Sequence, residues 1–142
     1  MFSIIVPTFN NLDYLKLCLE SLKKNSNYNH EIIIHINEGM DGTREFLSDK
    51  NYITTFSKKN DGVCIAFNKA VKKATKDYIV LAHDDMYFCP NWDEVYLSEL
   101  RKINEGKDFF LSGTMVQPFE SYINLNCGDK IENFNEDKLL KE

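Results

Sequence analysis

The chain has 142 residues, 43% hydrophobic and 27% charged, which is the size and composition of one globular domain with room for a sizeable core. A net charge of −5 and a pI near 5.2 argue against a general nucleic-acid binder, because such proteins neutralise phosphates with a basic surface. Cys18, Cys64, Cys89 and Cys127 are scattered with no Cys-x-x-Cys pair, so neither zinc-ligand spacing nor a compact disulfide framework is visible, and reduced thiols in the cytosol are the simplest reading.

Residues 2–6 form a short apolar run that Pro7 is expected to end, since proline removes a ladder donor. There is no basic leader, and the run is too short for a signal peptide or a membrane span. The expected location is therefore cytoplasmic, with any membrane association peripheral or carried by sequence beyond this chain. After the polar turn at Thr8, Asn10 and Asn11, the residues Leu12, Leu15, Leu19 and Leu22 recur at helical spacing, with Asn10 or Asn11 placed to cap. Strand, polar turn and helix make the first unit of a doubly wound sheet. Residues 31–36 read as a second strand ending in Asn37, Glu38, Gly39, Met40, Asp41, Gly42 and Thr43. Asp41 can cap the short helix that carries Phe46 and Leu47.

Residues 52–56 are β-branched and aromatic and read as a third strand, and Asn60-Asp61-Gly62 is a turn. Val63, Ala66, Phe67, Ala70, Val71 and Ala74 then mark an amphipathic helix. Its lysines fit a solvated face, with Lys69 in the second turn the one placed to do more. Tyr78-Ile79-Val80-Leu81-Ala82 is an apolar run that stops at His83-Asp84-Asp85, which reads as a buried parallel strand delivering two carboxylates to its carboxyl end. Open α/β sheets bind ligands there, and adjacent aspartates suit a hard divalent cation. Asn91-x-x-Glu94 is a capping-box spacing before a helix with Trp92, Val95, Tyr96, Leu100 and Ile103. Residues 108–113 read as another strand and residues 135–142 as a helix that the sequence ends without a C-terminal cap.

There is no Gly-x-Gly-x-x-Gly after the first strand and no Gly-x-x-x-x-Gly-Lys-[Ser/Thr], which counts against a dinucleotide enzyme and a P-loop NTPase. What remains is an ordered set: Ile5-Val6-Pro7-Thr8-Phe9-Asn10, Asn37-Glu38-Gly39 with Asp41-Gly42-Thr43, Asn60-Asp61-Gly62 with Ala66 and Asn68, and Tyr78 through Asp85. This set resembles the nucleotide-sugar-binding half of a family 2 glycosyltransferase, over about residues 2–113. The resemblance implies an α/β GT-A (Rossmann-like) fold, a three-layer sandwich with a mostly parallel central sheet. It implies a donor-binding core over residues 1–117, followed by the start of an acceptor-side or C-terminal extension over residues 118–142. Typical members are longer, so a truncated or fragmentary transferase is the expectation.

The same resemblance assigns roles. Pro7, Thr8 and Asn10 would line the nucleotide pocket beside the base. Glu38 would accept a hydrogen bond from base or ribose, although Asn37 stands where the family has a first acid and the loop to Asp41 is one residue shorter. Gly62 would allow close backbone approach, with Asn68 and Lys69 reaching toward the ligand. The Asp-x-Asp signature is represented by His83-Asp84-Asp85. Asp85 would bind Mn²⁺ or Mg²⁺ directly, Asp84 would contact the ribose or the metal's water shell, and His83 is either a further ligand or a packed side chain.

The implied reaction moves a sugar from a nucleoside-diphosphate donor, UDP-linked by expectation, to a hydroxyl of a glycan, lipid-linked or other acceptor, with inversion. The acceptor hydroxyl needs a general base. The acids after Gly113 are Glu120, Asp129, Glu132, Glu136 and Asp137, and only Glu136-Asp137-Lys138-Leu139-Leu140 resembles the family's Glu-Asp-x-x-Leu pattern. The catalytic residue is thus unassigned, with Glu136 and Asp137 as the candidates. One alternative is a nucleotide-sugar-binding module without catalysis. Another is a nucleotidyltransferase, against which Pro7 to Asn11 offers neither glycine nor lysine for a triphosphate loop.

Overall fold

In the computed structural model, which describes residues 1–103, 108–119 and 123–141, β1 (Phe2–Phe9), β2 (Glu31–Asn37), β3 (Ile53–Ser57) and β4 (Tyr78–Leu81) form one parallel sheet in the order β3-β2-β1-β4. Helices α1 (Leu12–Asn25), α2 (Thr43–Ser48) and α3 (Val63–Val71) follow the first three strands, and α4 (Trp92–Leu100) follows β4. The chain divides into two units, Met1–Val95 and Tyr96–Glu142, and the sheet lies wholly in the first.

The core follows from alternation along central strands. Ile5 and Ile33 face α3 and pack with Ala70, Phe67 and Ala74, while Ile4, Val6 and Ile34 on the other face are equally buried. On α1 the predicted stripe holds: Leu15, Leu19 and Leu22 are buried, with Cys18 between them. At the start of the strands, Asp93 of α4 fastens the segment before β2 by accepting from the amides of Asn27 and Tyr28 and from His30 Nε2.

Pro7 does not end β1, which continues through Pro7↔His35 to Phe9↔Asn37. The carbonyl of Ile5 accepts from Ala82 on the β4 side, so the backbone groups of Pro7, two residues on, face the same side. Strand β4 pairs no further than Ile5↔Leu81. The donor that Pro7 lacks is therefore one the ladder does not use.

β4 is parallel as expected but is not buried. It is the last strand of its sheet among the described residues, and Ile79 and Leu81 are 45% and 50% exposed. An apolar run reports on the strand's composition, not on whether a neighbour covers it. The expected capping box before α4 is also replaced: Asn91 has φ +63° and accepts from Asn27 Nδ2, and the Glu94 carboxylate accepts from the Tyr28 hydroxyl.

In the second unit the strand expected at residues 108–113 does not form. Residues 108–115 carry no ladder, and Phe110 is 88% exposed. Pairing begins with β5 (Val116–Gln117) against β6 (Ile123–Asn124). Aromatic β propensity fits a half-buried pleated surface and does not create a partner strand. The terminal helix is one turn, α5 (Glu136–Leu139), capped by Asn135, whose Oδ1 accepts from the Lys138 amide at 2.8 Å.

Candidate functional site

The loops at the carboxyl ends of the four strands line a cavity of about 300 Å³. It opens where the strand order reverses, with β2 and β3 on one side of β1 and β4 on the other, the place where open parallel sheets bind ligands. The end of β1 contributes Pro7 to Asn11, β2 contributes Asn37, the loop into α3 contributes Asn60, Gly62 and Val63, and the end of β4 contributes His83 and Asp84.

Of the residues expected to form the donor site, Pro7, Thr8, Asn10, Gly62, Asp84 and His83 line this cavity. Thr8 Oγ1 is buried and has no hydrogen-bond partner of good geometry among the described residues. Gly62 has φ +84°, and a Cβ placed on it would meet nothing within 4 Å, so its backbone is open to close approach. Burial pushes the Asp84 carboxyl above its ordinary range and Asp85 pushes it further, while the neighbouring Thr8 and Asn11 side chains offset part of the rise. Asp85 lies next to Asp84, exposed and outside the cavity lining. Neither carboxylate has an ion-pair partner among the described residues.

The other expected contacts are placed elsewhere. Glu38, in the left-handed region at φ +60°, ties loops together: Oε1 accepts from the Asn60 amide at 3.2 Å and Oε2 lies 3.5 Å from Asn10 Nδ2. Asn10, also left-handed at φ +46°, accepts from the Met40 amide through Oδ1 at 2.8 Å. Lys69 donates to Ser57 Oγ at 2.7 Å and to Asp61 Oδ2 at 2.5 Å, and Asn68 is exposed on α3; neither lines the cavity. Asp41 does not occupy the N-cap of α2, which is Gly42, but from one residue before it accepts from the Thr43 amide in the first turn of α2 and from the Leu12 amide at the start of α1. Asn11 is the N-cap residue of α1 by position but makes no side-chain cap bond, because its carboxamide is turned to Asp84.

Phe9, Asn11, Asn37, Asn60 and Val63 complete the lining and were not singled out as contacts by sequence. Asn11 and Asn60 carried a signal that reads equally well as cap and turn, and Asn37 stood in the place of an acid. Phe9 and Val63 carried none: they look like core residues and are 44% and 43% exposed at the cavity.

For a cation, the described residues offer no cluster of three or more His, Cys, Asp or Glu. They offer a carboxylate pair beside an open polar cavity, which fits an ion that takes its remaining oxygens from a diphosphate and water. The thiol of Cys18 is no ligand: burial, with Asp84 and Asp85 nearby, pushes it up to about 12, and it donates to the His83 carbonyl. His83 packs edge-on against Phe67 with ring centroids 5.8 Å apart.

The profile of "Glycosyl transferase family 2" matches residues 3–122 of this chain. The chain belongs to that family. The uncharacterized glycosyltransferase RC0461 of Rickettsia conorii is 33% identical over 118 residues, covering 80% of this chain and 19% of that protein. The putative glycosyltransferase EpsH of Bacillus subtilis is 26% identical over 160 residues, covering 98% of this chain and 46% of that protein. Among solved structures, S. aureus TarS 1-349 in complex with UDP superposes with TM-score 0.64 at 22% identity, over 71% of this chain and 32% of that one. The mannosyltransferase PcManGT of Pyrobaculum calidifontis, in complex with GDP-Man and Mn²⁺, superposes with TM-score 0.51 at 22% identity, over 61% of this chain and 28% of that one. This family 2 chain thus has the GT-A fold and spans less than half the length of these relatives. No helix among its described residues is long and apolar enough to cross a membrane.

Proposed function

We propose that the first unit binds a nucleoside-diphosphate sugar, UDP-linked, and presents it for transfer to an acceptor hydroxyl. The observation that carries this reading is the polar cavity at the β1/β4 switch point, walled by the buried Thr8 hydroxyl and by the half-buried Asp84 carboxyl beside it, which has no ion-pair partner among the described residues. Family membership and the UDP and GDP-Man complexes of structural neighbours support the ligand class.

Asp84 and Asp85 would hold Mn²⁺ or Mg²⁺, with His83 beside them. When bound, such an ion supplies positive charge opposite the diphosphate that leaves. The chain's own contribution is placement. Pro7, Thr8, Asn10 and the Asn60–Gly62 turn orient the nucleotide, and Glu38 holds the loops that carry Asn10 and Asn60. Transfer with inversion forms a bond from the acceptor oxygen to the anomeric carbon and breaks the bond from that carbon to the phosphate oxygen. The acceptor's proton goes to a carboxylate base. Glu136 and Asp137 open α5 in the second unit, with Asp129 hydrogen-bonded to Asn126 nearby in sequence; Glu120 lies outside the described residues. None of them is assigned as the base. The short span relative to whole relatives favours a second reading, a donor-binding module that needs further chain for catalysis.

Calorimetric titration with UDP, GDP and dTDP, each with and without MnCl₂, tests the reading. Saturable binding of one nucleotide that strengthens with Mn²⁺ supports it. No heat from any of them at millimolar concentration contradicts it.

A further inference from the structure

His35 is fully buried in β2, on the face that α3 covers, yet it is a polar ring in an apolar layer. Its Nδ1 lies 2.7 Å from Thr55 Oγ1 and its Nε2 3.1 Å from Ser57 Oγ, both on the neighbouring strand β3. Ser57 Oγ accepts from the Lys69 ammonium, which can only donate, and its own proton goes to the Asp61 carboxylate. The remaining lone pair of Ser57 can accept from His35 Nε2–H with Nδ1 accepting from Thr55, and the Asn37 side chain, which lines the cavity, is a further hydrogen-bond neighbour of the ring. Burial, together with the Lys69 charge, holds the ring below the ordinary 6.5 against the opposite pull of Asn37 and Asp61, which favours the neutral imidazole.

This chain of donors ends at the cavity. Lys69 reaches back along α3 to Asp61, the Asp61 amide donates to Asn37 Oδ1 at 3.2 Å, and Asn60 and Gly62 on either side of Asp61 line the cavity. The ammonium thus ties Ser57 at the end of β3 to Asp61 in the loop that carries Asn60 and Gly62.

We propose that His35 is a positioning residue for the donor cavity, holding its β3–α3 wall through Ser57, Lys69 and Asp61; the proposal rests on the reading of that cavity as a nucleotide site. Lys69 is the second positioning residue, acting through Asp61.

The test uses UDP with MnCl₂ as the calorimetric probe on the whole chain and on His35→Leu, Lys69→Met, Asp61→Ala and their pairwise doubles. Each single variant should weaken UDP about tenfold, the order of one buried hydrogen bond lost with its partner left unsatisfied, and the doubles no further, because they break the same relay. Losses that add, or a loss in Lys69→Met with none in His35→Leu, overturn it and make Lys69 a direct ligand contact. Lys69 and Asp61 lie near the surface, so their variants report even if His35→Leu does not fold. If the unsubstituted chain takes up no UDP, the nucleotide reading fails by itself. Amide exchange at Asp61 and Gly62 still judges the relay: faster exchange in Lys69→Met supports it, and unchanged protection overturns it.

Discussion

Asp41 and Leu12 are 29 residues apart, and Asp41 Oδ2 accepts the Leu12 amide at 2.8 Å while Oδ1 accepts from the Thr43 amide and hydroxyl. One carboxylate thus satisfies the first turns of two helices that begin beside the cavity. Asp41→Ala should lose about 1–2 kcal/mol in urea unfolding, the range for a lost N-cap. Burial alone would raise this carboxyl, but the bonds from Thr43 and Leu12 outweigh it and hold the folded value below 3.8. Its contribution is therefore full above pH 3.8 and is lost as pH falls through the lower folded value.

The His30–Asp93 pair makes a second prediction. His30 Nδ1 accepts the Phe2 amide, so Nε2 carries the proton and donates to Asp93, whose side chain is fully buried. Asp93→Ala removes the acceptor of the Asn27 and Tyr28 amides and of His30, and should cost about 3 kcal/mol or more. Burial lowers the His30 pKa below 6.5 despite the pull of Asp93. The unfolded chain then binds more protons than the folded one just below pH 6.5, so this contribution falls as pH drops from 6.5 through the folded value. Midpoints of denaturation measured from pH 7.5 to 5 check the sign, and His30→Gln should flatten that slope.

Thr8→Val removes a buried hydroxyl that neighbours the Asp84 carboxyl without a hydrogen bond of good geometry among the described residues. The unliganded chain should be as stable or more stable, because an unsatisfied polar group has gone. UDP binding should weaken, and the two opposite effects, read by unfolding and by titration, separate a ligand contact from a structural one.

Gly39 and Gly62 both have positive φ but differ in surroundings. A Cβ at Gly39 would meet Ile36 Cγ2 at 2.6 Å, whereas one at Gly62 would meet nothing within 4 Å. Gly39→Ala should lower stability by about 1–3 kcal/mol and Gly62→Ala by less, with the larger loss of UDP affinity at Gly62, which lines the cavity.

The alternation of strands and helices was legible because the apolar periods of 2–6, 31–36 and α1 are strong, and the carboxyl-end position of Asp84 follows from that order. What sequence could not show was where polar side chains spend their hydrogen bonds. Glu38, Lys69 and Asn11 all carry polar groups, and their hydrogen bonds go to a neighbouring loop or carboxylate, which no spacing in the sequence announces. Pairing was equally hidden: residues 78–81 and 108–113 look alike as apolar runs, yet one finds β1 and the other finds no strand among the described residues.

The claim that matters most is that the cavity at Asp84 takes a nucleoside diphosphate with a divalent cation. Thermal unfolding of the chain and of Asp84→Asn and Asp85→Ala, with UDP and MnCl₂ together and apart, tests it most directly. Ligand at a hundred times its dissociation constant should add about 2.7 kcal/mol to the unsubstituted chain with both components present, less with either alone, and far less to either variant. An equal rise in all three chains, or none in any, would contradict it.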